Sequence, residues 1–189
     1  AMLIAQIWAE AHGHALAKGL RLPWNVPEDS AFFRAAVRGR PVIMGRKTWI
    51  SAGRRPMPHS PTIVVSTQED FGVPGAQLAS NLEEAFALAR ATGADAAWVC
   101  GGAGVYAETR DCSQVLIRTV IDADVDADIF APAITPEWEL RLCSPGEAHE
   151  GWHTSRAGLR YRYEVWARPG IAIPEDLLPA TPDAAWQVA

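Results

Sequence analysis

Three short apolar runs limit the fold more than any other feature. Pro41–Met44, Thr62–Ser66 and Ala97–Cys100 are too short for buried helices, and they read as strands covered on both faces. The first stops at Gly45 and the third runs into Gly101-Gly102. Short helical segments follow both, one through Thr48 and Trp49 and one over Val105–Thr109. Leu3–Trp8 and Val115–Ile121 add two more strands. Phe32, Phe33, Ala36 and Val37 recur at helical spacing, with Asn25 or Glu28 as cap, Pro27 early in the helix and Gly39 at its end. Leu82–Ala91 is a second clear helix, opened by Ser80 or Asn81. Strands that alternate with helices predict a mostly parallel central sheet with helices on both faces. Glu139–Cys143 and Leu159–Ala167 alternate in polarity and predict an antiparallel pairing near the C-terminus. The fold class is therefore α/β, and 189 residues suit a single domain. Residues 1–168 form its body. Residues 169–189, with four prolines between Pro169 and Pro182, read as a tail on the surface or loose.

Composition removes several functions. A net charge of -5 argues against a general nucleic-acid surface. Cys100, Cys112 and Cys143 have neither disulfide-framework nor zinc spacing, and no metal site is expected. They fit a reducing, cytoplasmic setting. No apolar run approaches the ~20 residues of a membrane span. The apolar start, Met2–Trp8, lacks a basic lead and reads as a strand rather than a leader.

In open α/β sheets ligands collect beyond the carboxyl ends of the strands. Gly45-Arg46-Lys47-Thr48 offers a sharp turn and positive charge. Ser66-Thr67 offers two hydroxyls, and Gly101-Gly102-Ala103-Gly104 lets a ligand approach the backbone closely. Alone, the first is equally a solvated basic turn, the second is a weak signal, and the third is more readily a tight turn. The glycine run is not the dinucleotide fingerprint, because Ala107 stands where its last glycine would be. Together the three ends suggest a nucleotide with several phosphates. A cation pair beside a hydroxyl pair favours NADP over NAD.

Asp29 lies in the first turn of an apolar helix beside Phe32 and Phe33. It either complements the helix dipole, as Glu28 does, or sits half-buried and holds the amidine-like edge of a heterocycle by two parallel hydrogen bonds. In the second case its pKa is raised and useful for proton supply.

At this point the residues resemble a known family. LIAQIWA, LPWNVPED with the two phenylalanines, PVIMGRKTW, RPMP, TIVVST, GGAGVY, TVIDADVDAD with FAP, and GLRYRYEVW follow one another over Met2–Arg168. Their order and spacing are similar to dihydrofolate reductases, the actinobacterial members above all. The resemblance implies an NADPH-dependent reduction of 7,8-dihydrofolate to tetrahydrofolate for one-carbon metabolism, by a cytoplasmic monomer that also binds antifolate inhibitors. It implies that Asp29 binds the pterin amino group and ring nitrogen, with Thr119 on its carboxylate and Trp24 behind a bound water. Ile4 and Cys100 present carbonyls to the pterin edge, and Leu22, Phe33, Ala52 and Met57 form apolar walls. Gln6, Leu16 and Ala17 meet the nicotinamide through their backbone, Gln6 also bordering the substrate. Gly45, Arg46, Lys47, Thr48, Ser66, Thr67, Gly101, Gly102, Ala103, Gly104, Val105 and Tyr106 match the cofactor's phosphate sites. Gly101-Gly102 matches a pair joined by a cis peptide, and Leu16–Leu22 a loop that closes over the nicotinamide. The alternatives are a related pyrimidine reductase of riboflavin synthesis and an NADP-binding protein without catalysis.

The chain departs from the pattern at a few positions. Ser60 stands where the family has an arginine gripping the glutamate tail, and a serine cannot replace that fork. This predicts weaker tail binding or a changed tail preference, with Arg34 or Arg55 as substitutes. His12-Gly13-His14 lengthens the first loop and reads as solvated, and Ala17 replaces a glycine. Gly104 replaces a basic residue near the phosphates, and Ala52 a larger aliphatic. Cys100 reads as a packing residue. Asp122, Asp124, Asp126 and Asp128 lack the glycine and glutamate of a calcium loop, and read as one exposed face with Asp128 reaching the mobile loop.

Overall fold

The computed structural model describes residues 1–146, 151–180 and 186–189. In chain order its strands are β1 Leu3–Glu10, β2 Ala15–Ala17, β3 Val42–Gly45, β4 Thr62–Val65, β5 Gln77–Ala79, β6 Ala96–Val99, β7 Val115–Ile121, β8 Ile129–Phe130, β9 Glu139–Ser144, β10 His153–Thr154, β11 Arg160–Ala167 and β12 Gln187–Val188. The helices are α1 Pro27–Val37, α2 Arg46–Ser51, α3 Leu82–Ala91 and α4 Ala103–Thr109. Two compact units divide the chain, one of residues 1–6 and 37–113, the other of residues 7–36 and 114–189.

The first unit is parallel. Its strands run in the order β1-β6-β3-β4-β5, and each pairing is parallel. The apolar runs are continuous because these strands are covered: Val42, Ile43, Ile63, Val64 and Ala97–Val99 are fully buried. Helix α3 starts where the sequence places it. The Asn81 side chain accepts the Glu84 amide at 2.8 Å, and Glu84 reaches back to accept the Ser80 amide at 3.0 Å.

The second unit is antiparallel, in the order β7-β11-β9-β12, with β10 beside β11 and β2 beside β8. The expected pairing of β9 with β11 is present, so the α/β class with a mostly parallel sheet and antiparallel C-terminal strands stands. Two expectations change. The first loop, which carries His12-Gly13-His14, is not without structure, since a 3-10 turn at His12–His14 leads into β2. Nor is the described part of the tail loose. Leu177 is buried, and Gln187 and Val188 pair with Cys143 and Leu142 of β9. Four further strands, β5, β8, β10 and β12, have only two or three residues each, too few to show a period of two.

Candidate functional site

The second unit holds the carboxylate. Pro27 is the first residue of α1, where its missing N–H costs nothing, and Val26 O accepts the Asp29 amide at 3.0 Å. Asp29 and Phe32 are three residues apart and share a face of the helix. Phe32 stacks on Tyr163 of β11, with ring centroids 3.9 Å apart and planes 13° apart. Tyr163 pairs in register with Thr119 of β7. The Thr119 hydroxyl, itself buried, donates to Asp29 Oδ1 at 2.6 Å. Burial pushes the Asp29 pKa up to about 6, against the pull of the Thr119 hydrogen bond. The half-buried carboxylate therefore titrates near neutrality, as its aromatic surroundings predict.

Its neighbour is held differently. Glu28 accepts from the Ser155 hydroxyl at 2.6 Å and from the Arg156 amide at 2.9 Å. Partial desolvation raises its pKa, but these donors win and hold it below the usual range. Its role is to tie α1 to the 155–156 turn, more than the dipole role expected from sequence. Trp24 and Phe33 are half-buried on either side of the start of α1, and Leu22 is 60% exposed. Leu16 is buried and Ala17 half-buried in β2.

The first unit holds the glycine turns. Gly45 ends β3, and its amide donates to Gly101 O at 2.9 Å. A Cβ on Gly45 would lie 3.3 Å from Val105 Cγ2. One on Gly101, whose φ is +119°, would lie 3.1 Å from Thr48 Oγ1. Neither position tolerates a side chain without displacement. The Gly101–Gly102 peptide is cis, and Gly102 O accepts the Tyr106 amide at 2.9 Å. Thus Gly45, Thr48, Gly101, Gly102, Val105 and Tyr106, which lie on separate segments, do come together. Arg46 is half-buried, and Lys47 and Thr67 are exposed. Ala103 is half-buried and Gly104 exposed. Ser66 is buried, and its hydroxyl oxygen accepts the Gln68 amide at 3.1 Å.

Ile4, Gln6 and Cys100 are buried, Ile4 and Gln6 on β1 and Cys100 just past the end of β6. The Cys100 thiol faces Trp98 O at 3.8 Å, and burial pushes its pKa well up, which suits packing rather than nucleophilic chemistry. Gln6 has a function the sequence did not reveal. Its side-chain amide donates to Tyr106 O at 2.8 Å and to Thr109 Oγ1 at 2.9 Å, tying α4 to β1. Its position within an apolar strand was the available signal, since a buried amide must find partners.

Ser60 is turned inward. It is buried, and its hydroxyl donates to Val37 O at 2.8 Å. Met57 is half-buried and its amide donates to Thr62 Oγ1 at 2.9 Å, while Ala52 and Arg55 are exposed. Among the described residues no cluster of His, Cys, Asp or Glu could hold a metal ion, and no helix is long and apolar enough to cross a membrane.

Comparison with known proteins follows this geometry. The family model described as dihydrofolate reductase matches residues 3–165. The dihydrofolate reductase of Neisseria meningitidis serogroup B is 43% identical over 160 residues, covering 81% of this chain and 98% of that protein. That of Mycobacterium tuberculosis strain H37Rv is 36% identical over 171 residues, covering 88% and 98%. Among solved structures, the dihydrofolate reductase from Enterococcus faecalis complexed with NADP(H) and RAB-propyl superposes with a TM-score of 0.76. It has 29% sequence identity, and the alignment covers 88% of this chain and 96% of that one.

Proposed function

This chain belongs to the dihydrofolate reductase family, and on that premise we propose that it reduces 7,8-dihydrofolate to 5,6,7,8-tetrahydrofolate with NADPH. The observation that carries the reading is the Asp29 carboxylate, bonded to Thr119 and titrating near 6. Ionised, it accepts two parallel hydrogen bonds from the pterin's amino group and ring nitrogen, and so orients and polarises the ring. Phe33 and Leu22 supply apolar walls. Trp24 backs the water through which a proton reaches the reduced ring nitrogen. The overall exchange consumes one dihydrofolate, one NADPH and one proton, and yields tetrahydrofolate and NADP⁺.

The residues fit the dinucleotide. The Gly45 and Gly101 turns lie too close together for side chains, which suits a tight backbone cradle, and Arg46 and Lys47 supply positive charge. Arg46, Lys47, Thr48, Ser66, Thr67 and the 101–106 turn hold the phosphates. The backbone of Gln6 meets the nicotinamide. When bound, the cofactor supplies the hydride, and the protein supplies position, charge and a dry environment. We assign the reductase to residues 1–168, acting as a cytoplasmic monomer, with residues 169–189 as an appended segment.

Ser60 weakens the grip on the substrate's glutamate tail, because its hydroxyl is committed to Val37 O. One assay tests both parts of the proposal. NADPH consumption is followed with dihydrofolate and with a dihydropterin lacking the glutamate. Turnover is expected with both, with KM values within roughly tenfold of each other, since ~1.4 kcal/mol separates tenfold affinities. No turnover with dihydrofolate at saturating NADPH overturns the activity. A strong preference for the tailed substrate overturns the role given to Ser60.

A further inference from the structure

The His12-Gly13-His14 turn contains no buried residue, so no apolar contact fixes it. It is held instead by hydrogen bonds: the His14 carbonyl accepts the Ala131 amide at 2.8 Å, and the His12 ring lies between two carboxylates. His12 Nδ1 lies 2.7 Å from Asp124 Oδ1, and His12 Nε2 lies 2.8 Å from Asp122 Oδ1. Both partners are acceptors when ionised, so both ring nitrogens must donate, and only the imidazolium does that. A neutral ring keeps one of the two bonds and turns a bare nitrogen lone pair toward the other carboxylate. The His12 amide also donates to Ala123 O at 3.1 Å, which sets the ring between the two aspartates.

We propose that His12 is a proton-operated clasp: as imidazolium it bridges Asp122 and Asp124 and tightens the 12–14 turn on the 122–124 segment, and as neutral imidazole it loosens that hold to one ring bond and the backbone ties. The two carboxylates are unequal. Asp122 is shared with Arg160 of β11, which keeps it ionised and in place. Asp124 is almost fully exposed, and among the described residues its one side-chain bond is to His12. Other charges around the turn are already engaged. His14 faces Glu10 at 2.7 Å, Glu10 also meets Arg118 at 3.3 Å, and Lys18 faces Asp126 at 3.4 Å. The stretch after the turn has its own ties, from the Gly19 amide to Asp128 Oδ1 at 2.8 Å and from the Asp128 amide to Ala17 O at 3.0 Å. The clasp therefore governs the tip of the loop and not the whole of it.

The sign follows from linkage. The bonds to Asp124 and Asp122 raise the His12 pKa above its ordinary 6.5. The clasp is thus complete below pH 6.5 and is lost as pH rises through the raised value. If the 16–22 stretch closes over the nicotinamide, a consequence that rests on the proposed function, the clasp adds a pH-dependent restraint to that closure.

NMR of the full chain tests the clasp without reference to turnover. The His12 Hε1 resonance gives its titration, and the heteronuclear NOE of Gly13 gives the order of the turn. The expected result is a His12 midpoint above 6.5, with the Gly13 NOE falling through the same midpoint. In Asp124→Asn the midpoint moves down. In His12→Arg, whose charge persists, the Gly13 NOE stays high throughout. A His12 midpoint at or below 6.5 overturns the proposal, as does a Gly13 NOE that ignores pH in the unaltered protein.

Discussion

At the scale of single residues, Asp29 trades stability for function. Its ordinary carboxyl pKa is raised to about 6, chiefly by burial. The folded state therefore disfavours the ion, and the stability lost on ionisation is greatest above pH 6 and absent below the unfolded value of 3.8. Asp29→Asn is expected to raise stability by roughly 1–3 kcal/mol at pH 8, with the gain vanishing by about pH 3. Denaturant titrations at the two pH values check this. Thr119→Val removes the one interaction that lowers the pKa, so the Asp29 midpoint moves up, visible in the carboxyl carbon resonance. The identities of Asp29 and Thr119 were legible from motif order. The desolvation was only partly so, because Phe32 is close in sequence whereas Tyr163 arrives from β11. Ser60 shows the opposite limit. Its type was readable as a departure, but its inward bond to Val37 O depends on the fold of the 57–62 turn. The aspartates at 122 and 124 read as an exposed face, because nothing in their spacing discloses that His12 lies between them.

At the scale of elements, length decided what was readable. Strands of four or more residues with continuous or alternating apolar positions were found, with edges correct to within about two residues. Asn81, one of two candidate caps, is the one that opens α3. Strands β2, β5, β8, β10 and β12 were missed, because so few residues carry no period and each is defined by its partner. The tail shows the same limit. Its prolines suggested a surface segment, yet Trp186 lies with its ring centroid 6.1 Å from Phe32, and β12 completes the edge of β9. The glycine turns give the prediction at this scale. Gly101→Ala forces a side chain into a left-handed backbone 3.1 Å from Thr48 Oγ1, and is expected to cost ~1–3 kcal/mol in stability. It should also weaken NADPH binding at least severalfold. Gly104→Ala meets nothing within 4 Å and should leave thermal stability within ~0.5 kcal/mol. Melting curves and cofactor titration of the two variants separate a shaped turn from a merely flexible one.

At the scale of the whole molecule, the chain combines a parallel unit that carries the glycine turns with an antiparallel unit that carries the carboxylate. The parallel unit was the easier to read, since its covered strands appear as unbroken apolar runs. The antiparallel unit was read from one alternating pair and proved more extensive. The family match over residues 3–165 accounts for both. The central claim is that one partly buried carboxylate, titrating near neutrality, controls the reduction. The most direct measurement is the pH dependence of kcat/KM for dihydrofolate at saturating NADPH, in the unaltered protein and in Asp29→Asn. Because the reaction consumes a proton, kcat/KM falls as pH rises; because the ionised Asp29 polarises the ring that takes that proton, the account predicts that Asp29→Asn moves the midpoint of this fall to lower pH and loses ~10²-fold or more of its rate. An unaltered titration in Asp29→Asn, with activity retained, would contradict it.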